Sequence, residues 1–263
     1  MTAVATEARC PYCDGAGYYK EAVPFGHPNF SRALPCVCKL EQRAQREKAA
    51  THSRLLQLSS LAGRFASATL DSFEVATRPY PGPVEWYDLA RLDRRMRWYA
   101  PDMQRQSLRA AVDLARAFLA TPRGGLLFQG PYGSGKTHLA YAVAHALLER
   151  GHTLAADSLP ALLEFIKAGF EDDSASRRIQ DLKTVDVLLL DDVGTERATD
   201  WSAEQVYNII NHRYVFDLWT IFTSNVPLVY FTGRIGSRIA EFAQVASVIA
   251  YDMRLLRGQR SAS

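Results

Sequence analysis

Several residues in this chain have the types and spacing to do chemistry. Gly130, Pro131, Tyr132, Gly133, Ser134, Gly135, Lys136, Thr137 and His138 spell the pattern G-x-x-x-x-G-K-T. Glycines in that spacing let the backbone curl so that successive amides face an anion, and a following helix adds its N-terminal dipole. The expected chemistry is nucleotide binding, with Lys136 reaching the β- and γ-phosphates and the Thr137 hydroxyl ligating magnesium. Further along, an apolar run ends in Asp191-Asp192. Asp191 would hold magnesium, directly or through water, and Asp192 would orient and polarise an attacking water. Ser224-Asn225 supplies a polar amide able to touch the γ-phosphate and that water. Arg234 and Arg238 offer a guanidinium to a neighbouring subunit's nucleotide, the alternative for either being a plain surface arginine.

A second set lies near the N-terminus. All four cysteines fall there, at Cys10, Cys13, Cys36 and Cys38. Cys10-Pro-Tyr-Cys13 is a turn that aims two thiolates at one centre, and Cys36-Val-Cys38 closes a tetrahedral set suited to structural zinc. Asp14, Gly15 and Gly17 fit a tight knuckle, and in so short a segment the metal supplies much of the folding energy. An iron–sulfur cluster takes the same four ligands, and disulfides or free thiols are the remaining readings. An intracellular chain disfavours disulfides.

These residues need elements to hold them. Gly124 to Gln129 reads as a buried strand running into the glycine loop, and Leu139 to Leu148 as the helix behind it. Val185 to Leu190 reads as a second strand, Trp219 to Thr223 as a third and Val245 to Tyr251 as the last, with a helical stretch from Gly233 before it. In an open α/β sheet, strands deliver their C-terminal residues to the ligand crevice. Lys39 to Ala50 reads as a solvated helix. Residues 77–104 mix Pro79, Pro81, Gly82, Pro83 and Pro101 with Trp86, Tyr87, Trp98 and Tyr99, and the prolines argue against regular structure at the start. Arg91, Arg94, Arg95 and Arg97 beside those aromatics suit single-stranded nucleic acid, or else face solvent while the aromatics pack inward.

With 263 residues, 48% apolar and 22% charged, the chain is globular rather than disordered. No run reaches the length of a membrane helix and the N-terminus lacks a signal-peptide core, so a soluble, cytoplasmic protein with no membrane partner is expected. The net charge of +3 is carried by residues 1–60, with eight basic against five acidic side chains. That bias alone does not name nucleic acid.

Taken together, Gly130 to His138, Leu188-Leu-Leu-Asp-Asp-Val-Gly-Thr-Glu196, Asn211-His-Arg-Tyr214 and Thr223-Ser-Asn225 resemble the AAA+ ATPases of the DnaC/DnaI/IstB group. Leu70-Asp-Ser-Phe73 resembles the short linker signature before that module. The resemblance implies an α/β fold, a doubly wound parallel sheet of the AAA+ P-loop type, with ATP and magnesium as cofactors. It makes Lys136 and Thr137 the Walker A pair, Asp191 and Asp192 the Walker B pair, Asn225 sensor 1, and Arg238 ahead of Arg234 the arginine finger. It further implies ATP-dependent self-association, a grip on single-stranded DNA, and a zinc-bearing N-terminal domain that docks a hexameric replicative helicase. The helical insertion of the family matches Leu159 to Leu182, where Lys167, Phe170, Arg177 and Arg178 are the candidate DNA contacts despite Glu171-Asp-Asp173. The expected organisation is a zinc-binding segment over 1–60, a linker with insertion over 61–104, the ATPase over 105–255 and a basic tail over 256–263. On that layout the C-terminal helical lid of many AAA+ proteins is missing, and Asp192 stands where many carry Glu, which favours slow hydrolysis. An IstB-like helper of a transposase on duplex DNA shares the same core. A P-loop kinase fits less well, because tandem acids with a downstream amide suit water as the nucleophile.

Overall fold

A computed structural model of the protein describes residues 10–58, 65–73, 82–91, 95–194 and 200–252. Pro79, Pro81, Arg94 and Glu196 lie outside the described residues, as does the 256–263 tail. The chain divides into two compact units, Met1–Ser53 and Arg54–Ser263.

The first unit is built on the cysteines. Two short strands, β1 (Tyr18–Tyr19) and β2 (Leu34–Pro35), pair antiparallel and bring the second cysteine pair under the first. The helix α1 (Val37–Leu58) then starts on Cys36, whose carbonyl accepts from the amides of Lys39 and Leu40.

In the second unit an antiparallel hairpin comes first, β3 (Val84–Tyr87) with β4 (Met96–Tyr99). The hairpin begins only after the prolines, at whose end of the stretch irregular chain was expected. The prolines stop at Pro83, and beyond it Trp86 and Tyr99 alternate with polar residues and bury themselves with Ile249. Ala100 is extended, and Pro101 starts α2 (Pro101–Ala120), where the missing amide costs nothing. Leu108, Ala111, Val112, Ala115, Phe118 and Leu119 recur at helical spacing and form its buried stripe.

The body alternates strand and helix: β5 (Gly125–Gln129), α3 (Lys136–Glu149), β6 (Leu154–Ser158), α4 (Leu159–Ala168), α5 (Ala175–Thr184), β7 (Val187–Asp191), α6 (Asp200–Val215), β8 (Trp219–Ser224), α7 (Gly233–Phe242) and β9 (Ala243–Ser247). The five strands form one parallel sheet in the order β6-β7-β8-β5-β9. Successive strand residues point to opposite faces, so each strand feeds two cores. Leu126, Phe128, Leu154, Val187, Leu189 and Ile221 pack with α2 and α3. Leu127, Leu188, Leu190 and Phe222 pack with residues of α4, α5, α6 and α7 on the other side. Helices therefore cover both faces, which explains why the strands read as continuous apolar runs.

The last strand begins two residues and ends four residues earlier than the sequence pattern suggests. Gln129 pairs in register with Ser247, and past that point β5 has become the glycine loop and offers no ladder. Val248 still donates to the Gln129 carbonyl at 2.7 Å, after which the Ile249 amide turns to the Ser107 hydroxyl at 2.9 Å.

Arg213 of α6 is fully buried and holds one end of the sheet together. Its guanidinium donates to the carbonyls of Leu182, Val185 and Trp219 at 3.1, 2.8 and 2.7 Å, and to the Thr220 hydroxyl at 2.9 Å. Burial lowers its pKa to about 9, against the pull of Asp186. One side chain thus closes the C-terminus of α5 onto the starts of β7 and β8. Arg213→Met should strand those acceptors and cost at least about 3 kcal/mol in urea unfolding. A loss below about 1 kcal/mol would contradict this role.

Candidate functional site

The sheet order sets β7, β8 and β5 side by side, so their C-terminal ends open onto one crevice. β5 delivers the glycine loop there. The Gly130 amide donates to the Ser224 carbonyl at 3.1 Å, tying the loop to β8. A Cβ at Gly130 would stand 2.1 Å from the Val248 carbonyl oxygen, so no side chain fits. Gly135 takes φ +106° as the N-cap of α3 and lies under the Phe73 ring, which a Cβ would meet at 2.6 Å. The Ser134 hydroxyl is buried and has no hydrogen-bond partner among the described residues. A curled loop with an unpaired buried hydroxyl, opening a fourteen-residue helix, fits a phosphate group.

Lys136 is buried, and its ammonium donates to the Pro131 carbonyl at 2.8 Å and to Asn225 Oδ1 at 2.9 Å. The Asn225 amide in turn donates to Asp192 Oδ1. Asp191 accepts from the Thr137 hydroxyl at 3.0 Å and the Thr223 hydroxyl at 2.5 Å. Asp192 turns sharply, with φ +61°, and its amide donates to Thr223 Oγ1 at 2.9 Å. The two acids therefore leave the strand in different directions, one to Thr137 and one to Asn225. Burial pushes the Asp191 carboxyl above its ordinary range, the Thr223 and Thr137 hydroxyls oppose that, Asp192 adds to it and Lys136 counters it. Chemically, the cluster offers an ammonium, a hydroxyl and a carboxylate for a magnesium–phosphate group, and a carboxylate with an amide for a water.

The remaining candidates fall elsewhere. His138 faces away from the acids, with Nε2 at 3.0 Å from Ser72 Oγ and 3.1 Å from the Thr69 carbonyl, so the 69–73 turn rests on the start of α3. Tyr132 is exposed at the loop tip. Arg238 donates to Asn211 Oδ1 at 2.9 Å and to Glu241 at 2.7 Å, and its guanidinium covers the Tyr214 ring. Arg234 is exposed over Tyr207. On the α4–α5 stretch, Lys167 lies over the Trp201 ring and Phe170 packs edge-on against it. Arg178 is held by the Phe165 carbonyl at 2.7 Å, Ser174 Oγ at 2.8 Å and Asp172 at 3.0 Å, whereas Arg177 is exposed. Sequence reasoning missed Thr223, which touches both acids. Its place just before Ser224-Asn225 was the available signal.

In the first unit the four sulfurs lie within 4.8 Å of one another, with Cys10 to Cys36 at 3.7 Å and Cys13 to Cys38 at 3.4 Å. Four thiolates around one tetrahedral zinc stand about 3.8 Å apart. All four cysteines are free, and these separations are far longer than a disulfide. The Gly17 amide donates to Cys13 Sγ at 3.2 Å. Burial pushes the Cys13 thiol up, but the Gly17 amide and the Cys38 and Cys36 sulfurs outweigh it and bring it to about 7. Cys38 is pushed up to about 12 by Cys13 and by burial. Thiols crowded this closely ionise together only beside a cation, so the donor set fits a metal ion.

Comparison with known proteins agrees with this geometry. Residues 99–246, more than half of the chain, match the family described as IstB-like ATP binding protein. The chain belongs to that family. Among relatives of this IstB-like chain, the replicative helicase loader DnaI of Bacillus subtilis (strain 168) is 31% identical over 116 residues, 43% of this chain and 37% of that protein. The putative ATP-binding protein Rv3427c in insertion sequence, from Mycobacterium tuberculosis, is 29% identical over 201 residues, 76% of this chain. The chain spans 37% and 66% of the lengths of these two relatives. The crystal structure of the DnaC helicase loader aligns at 25% identity with a TM-score of 0.54, covering 71% of this chain and 99% of that one. The fold is thus the α/β AAA+ ATPase fold with a five-strand parallel sheet, as the sequence resemblance implies. Among the described residues, no helix is long and apolar enough to cross a membrane.

The half-buried Asp191 carboxylate gives a signed prediction. A carboxyl raised in the fold weakens stability once the pH exceeds its unfolded value. Asp191→Asn keeps an oxygen for both hydroxyls and removes the charge, so without magnesium it should melt a few degrees above the parent at neutral pH. The gap should close as the pH falls below the carboxylate range. A variant that melts lower at neutral pH would contradict the assignment.

Proposed function

We infer that this chain is an ATPase that loads a hexameric replicative helicase onto single-stranded DNA. The observation that carries the reading is the convergence of Lys136, Thr137, Asp191, Asp192 and Asn225 on one crevice at the end of a glycine loop. In this reading residues 130–138 wrap the phosphates, Lys136 neutralises their charge, and Thr137 and Asp191 hold magnesium. Magnesium, when bound, screens the phosphate oxygens and steadies the leaving group. Asp192 orients water, and Asn225, bonded to both Lys136 and Asp192, senses whether the γ-phosphate is present. Asp192 is one methylene shorter than Glu, which suits slow turnover and use of ATP as a switch.

Arg238 serves a neighbouring copy's nucleotide in this account, exchanging its exposed pair with Glu241 for phosphate, and Arg234 is the second choice. The four cysteines hold zinc, and the segment over 1–60 docks the helicase. Lys167, Phe170, Arg177 and Arg178 face DNA from the α4–α5 stretch, Arg178 also holding the Phe165 carbonyl. A cytoplasmic location follows from such partners. The cysteine cluster and the near-complete coverage of the DnaC loader structure support loading. A second reading, an ATPase assisting a transposase on duplex DNA, is favoured by the family match and the insertion-sequence relative.

Lys136→Ala should weaken ATP binding at least about tenfold in calorimetry, a loss of about 1.4 kcal/mol; unchanged affinity would refute the loop assignment. The parent should carry about one zinc per chain by elemental analysis, and Cys10→Ser with Cys13→Ser should release it. Iron in the parent, or no metal, would overturn that site. Pull-down with the host or phage replicative helicase should succeed and fail once residues 1–60 are removed. Capture of a transposase instead would favour the second reading.

A further inference from the structure

After β9 the chain runs alongside the glycine loop. Val248 donates to the Gln129 carbonyl, and its own carbonyl leaves no room for a Cβ at Gly130. Four residues on, the chain meets the loop again. Gly133 takes φ +69°, and a Cβ built there would fall on the Asp252 carboxylate, 2.8 Å from its more distant oxygen. Residues 248–252 thus follow the loop from its first glycine to its second, and a carboxylate closes on backbone suited to phosphate.

This segment is anchored from behind. The Ile249 amide donates to Ser107 Oγ at 2.9 Å, and the Tyr251 amide to Gln104 Oε1 at 3.1 Å. Gln104 is fully buried on α2, and its own amide donates to the carbonyls of Gly82 at 2.8 Å and Tyr99 at 2.9 Å. One glutamine therefore joins the hairpin, α2 and the residue before Asp252.

Sheet order decides what the carboxylate can serve. β8 and then β7 lie on one side of β5 and bring Asn225, Asp191 and Asp192 there, whereas β9 lies on the other side. The Lys136 ammonium reaches Asn225 Oδ1 at 2.9 Å, and the Thr137 hydroxyl reaches Asp191 at 3.0 Å, both toward the β7–β8 side. Asp252 arrives from the β9 side, away from the acid that would hold magnesium. Being half-buried, it is screened by salt less than a surface charge.

We propose that Asp252 is a built-in block on the glycine loop, which a nucleoside triphosphate must displace together with the chain around Tyr251. The proposal rests on the nucleotide reading above. Loop amides attract an anion of either kind, so the carboxylate competes with phosphate for them. Like charges side by side also repel, and the incoming triphosphate carries several. Displacement breaks the Tyr251 bond to Gln104, so nucleotide binding loosens the segment that Gln104 ties to α2 and the hairpin.

The test uses the full chain, titrated in a calorimeter with the magnesium complex of a non-hydrolysable ATP analogue. Asp252→Asn keeps the shape and removes the charge, so it should bind at least about fivefold tighter than the parent. Asp252→Glu keeps the charge and should bind no tighter. Hydrogen exchange of the parent supplies a second readout: the peptide holding Tyr251 should exchange faster with the analogue bound. An Asp252→Asn affinity equal to or weaker than the parent's, with Lys136→Ala still impaired, would overturn the block and leave the nucleotide site standing. Slower exchange at Tyr251 on binding would overturn the displacement, since the segment would then close over the nucleotide. A parent that binds no analogue would overturn the nucleotide reading itself.

Discussion

A half-buried carboxylate shared by two hydroxyls is the contact on which the second unit depends. Asp191 ends β7, and through Thr137 and Thr223 it fixes the first turn of α3 and the tip of β8 against one another. Three elements distant in sequence are therefore positioned by one charged group. Its partial burial is costly, because the ionised form is taken out of water beside Asp192, with two hydroxyls and Lys136 as the opposing influences. A site that holds such a charge is built for a cation, and Lys136 and Asn225 complete the same crevice a few ångströms away.

The sheet makes this arrangement possible. Apolar residues on both faces of β5, β7 and β8 seal the strands between helical layers, leaving their polar C-terminal residues as the only exit. At the opposite end, Arg213 gathers the carbonyls of Leu182 in α5, Val185 just before β7 and Trp219 in β8, so the strands are pinned where they begin as well as where they end.

Much of this was legible in the sequence because the relevant signals are local. The strand, the glycine pattern and the helix follow one another without interruption. The apolar runs before Asp191 and Ser224 are too hydrophobic to be anything but buried strands. What was not legible depends on contacts between distant segments. The hairpin was hidden by its prolines, since nothing local says that Trp86 and Tyr99 will find Ile249. The last strand was drawn too late because its end is set by where β5 stops, not by its own composition. The contacts of Arg178 with Phe165, Ser174 and Asp172 are likewise set by the folded α4–α5 stretch and not announced by its sequence. The four cysteines lie in the opposite class, since their spacing announced a cluster that β1 and β2 bring together.

In the proposed function, Asp191 and Thr137 face one magnesium ion bound to a triphosphate in the glycine loop. A crystal structure with a non-hydrolysable ATP analogue and magnesium tests it directly. The account predicts the ion beside the Thr137 hydroxyl and the Asp191 carboxylate, with Lys136 moved from the Pro131 carbonyl onto phosphate. A nucleotide bound elsewhere, or one bound in the loop while Lys136 keeps its contacts to Pro131 and Asn225, would contradict it.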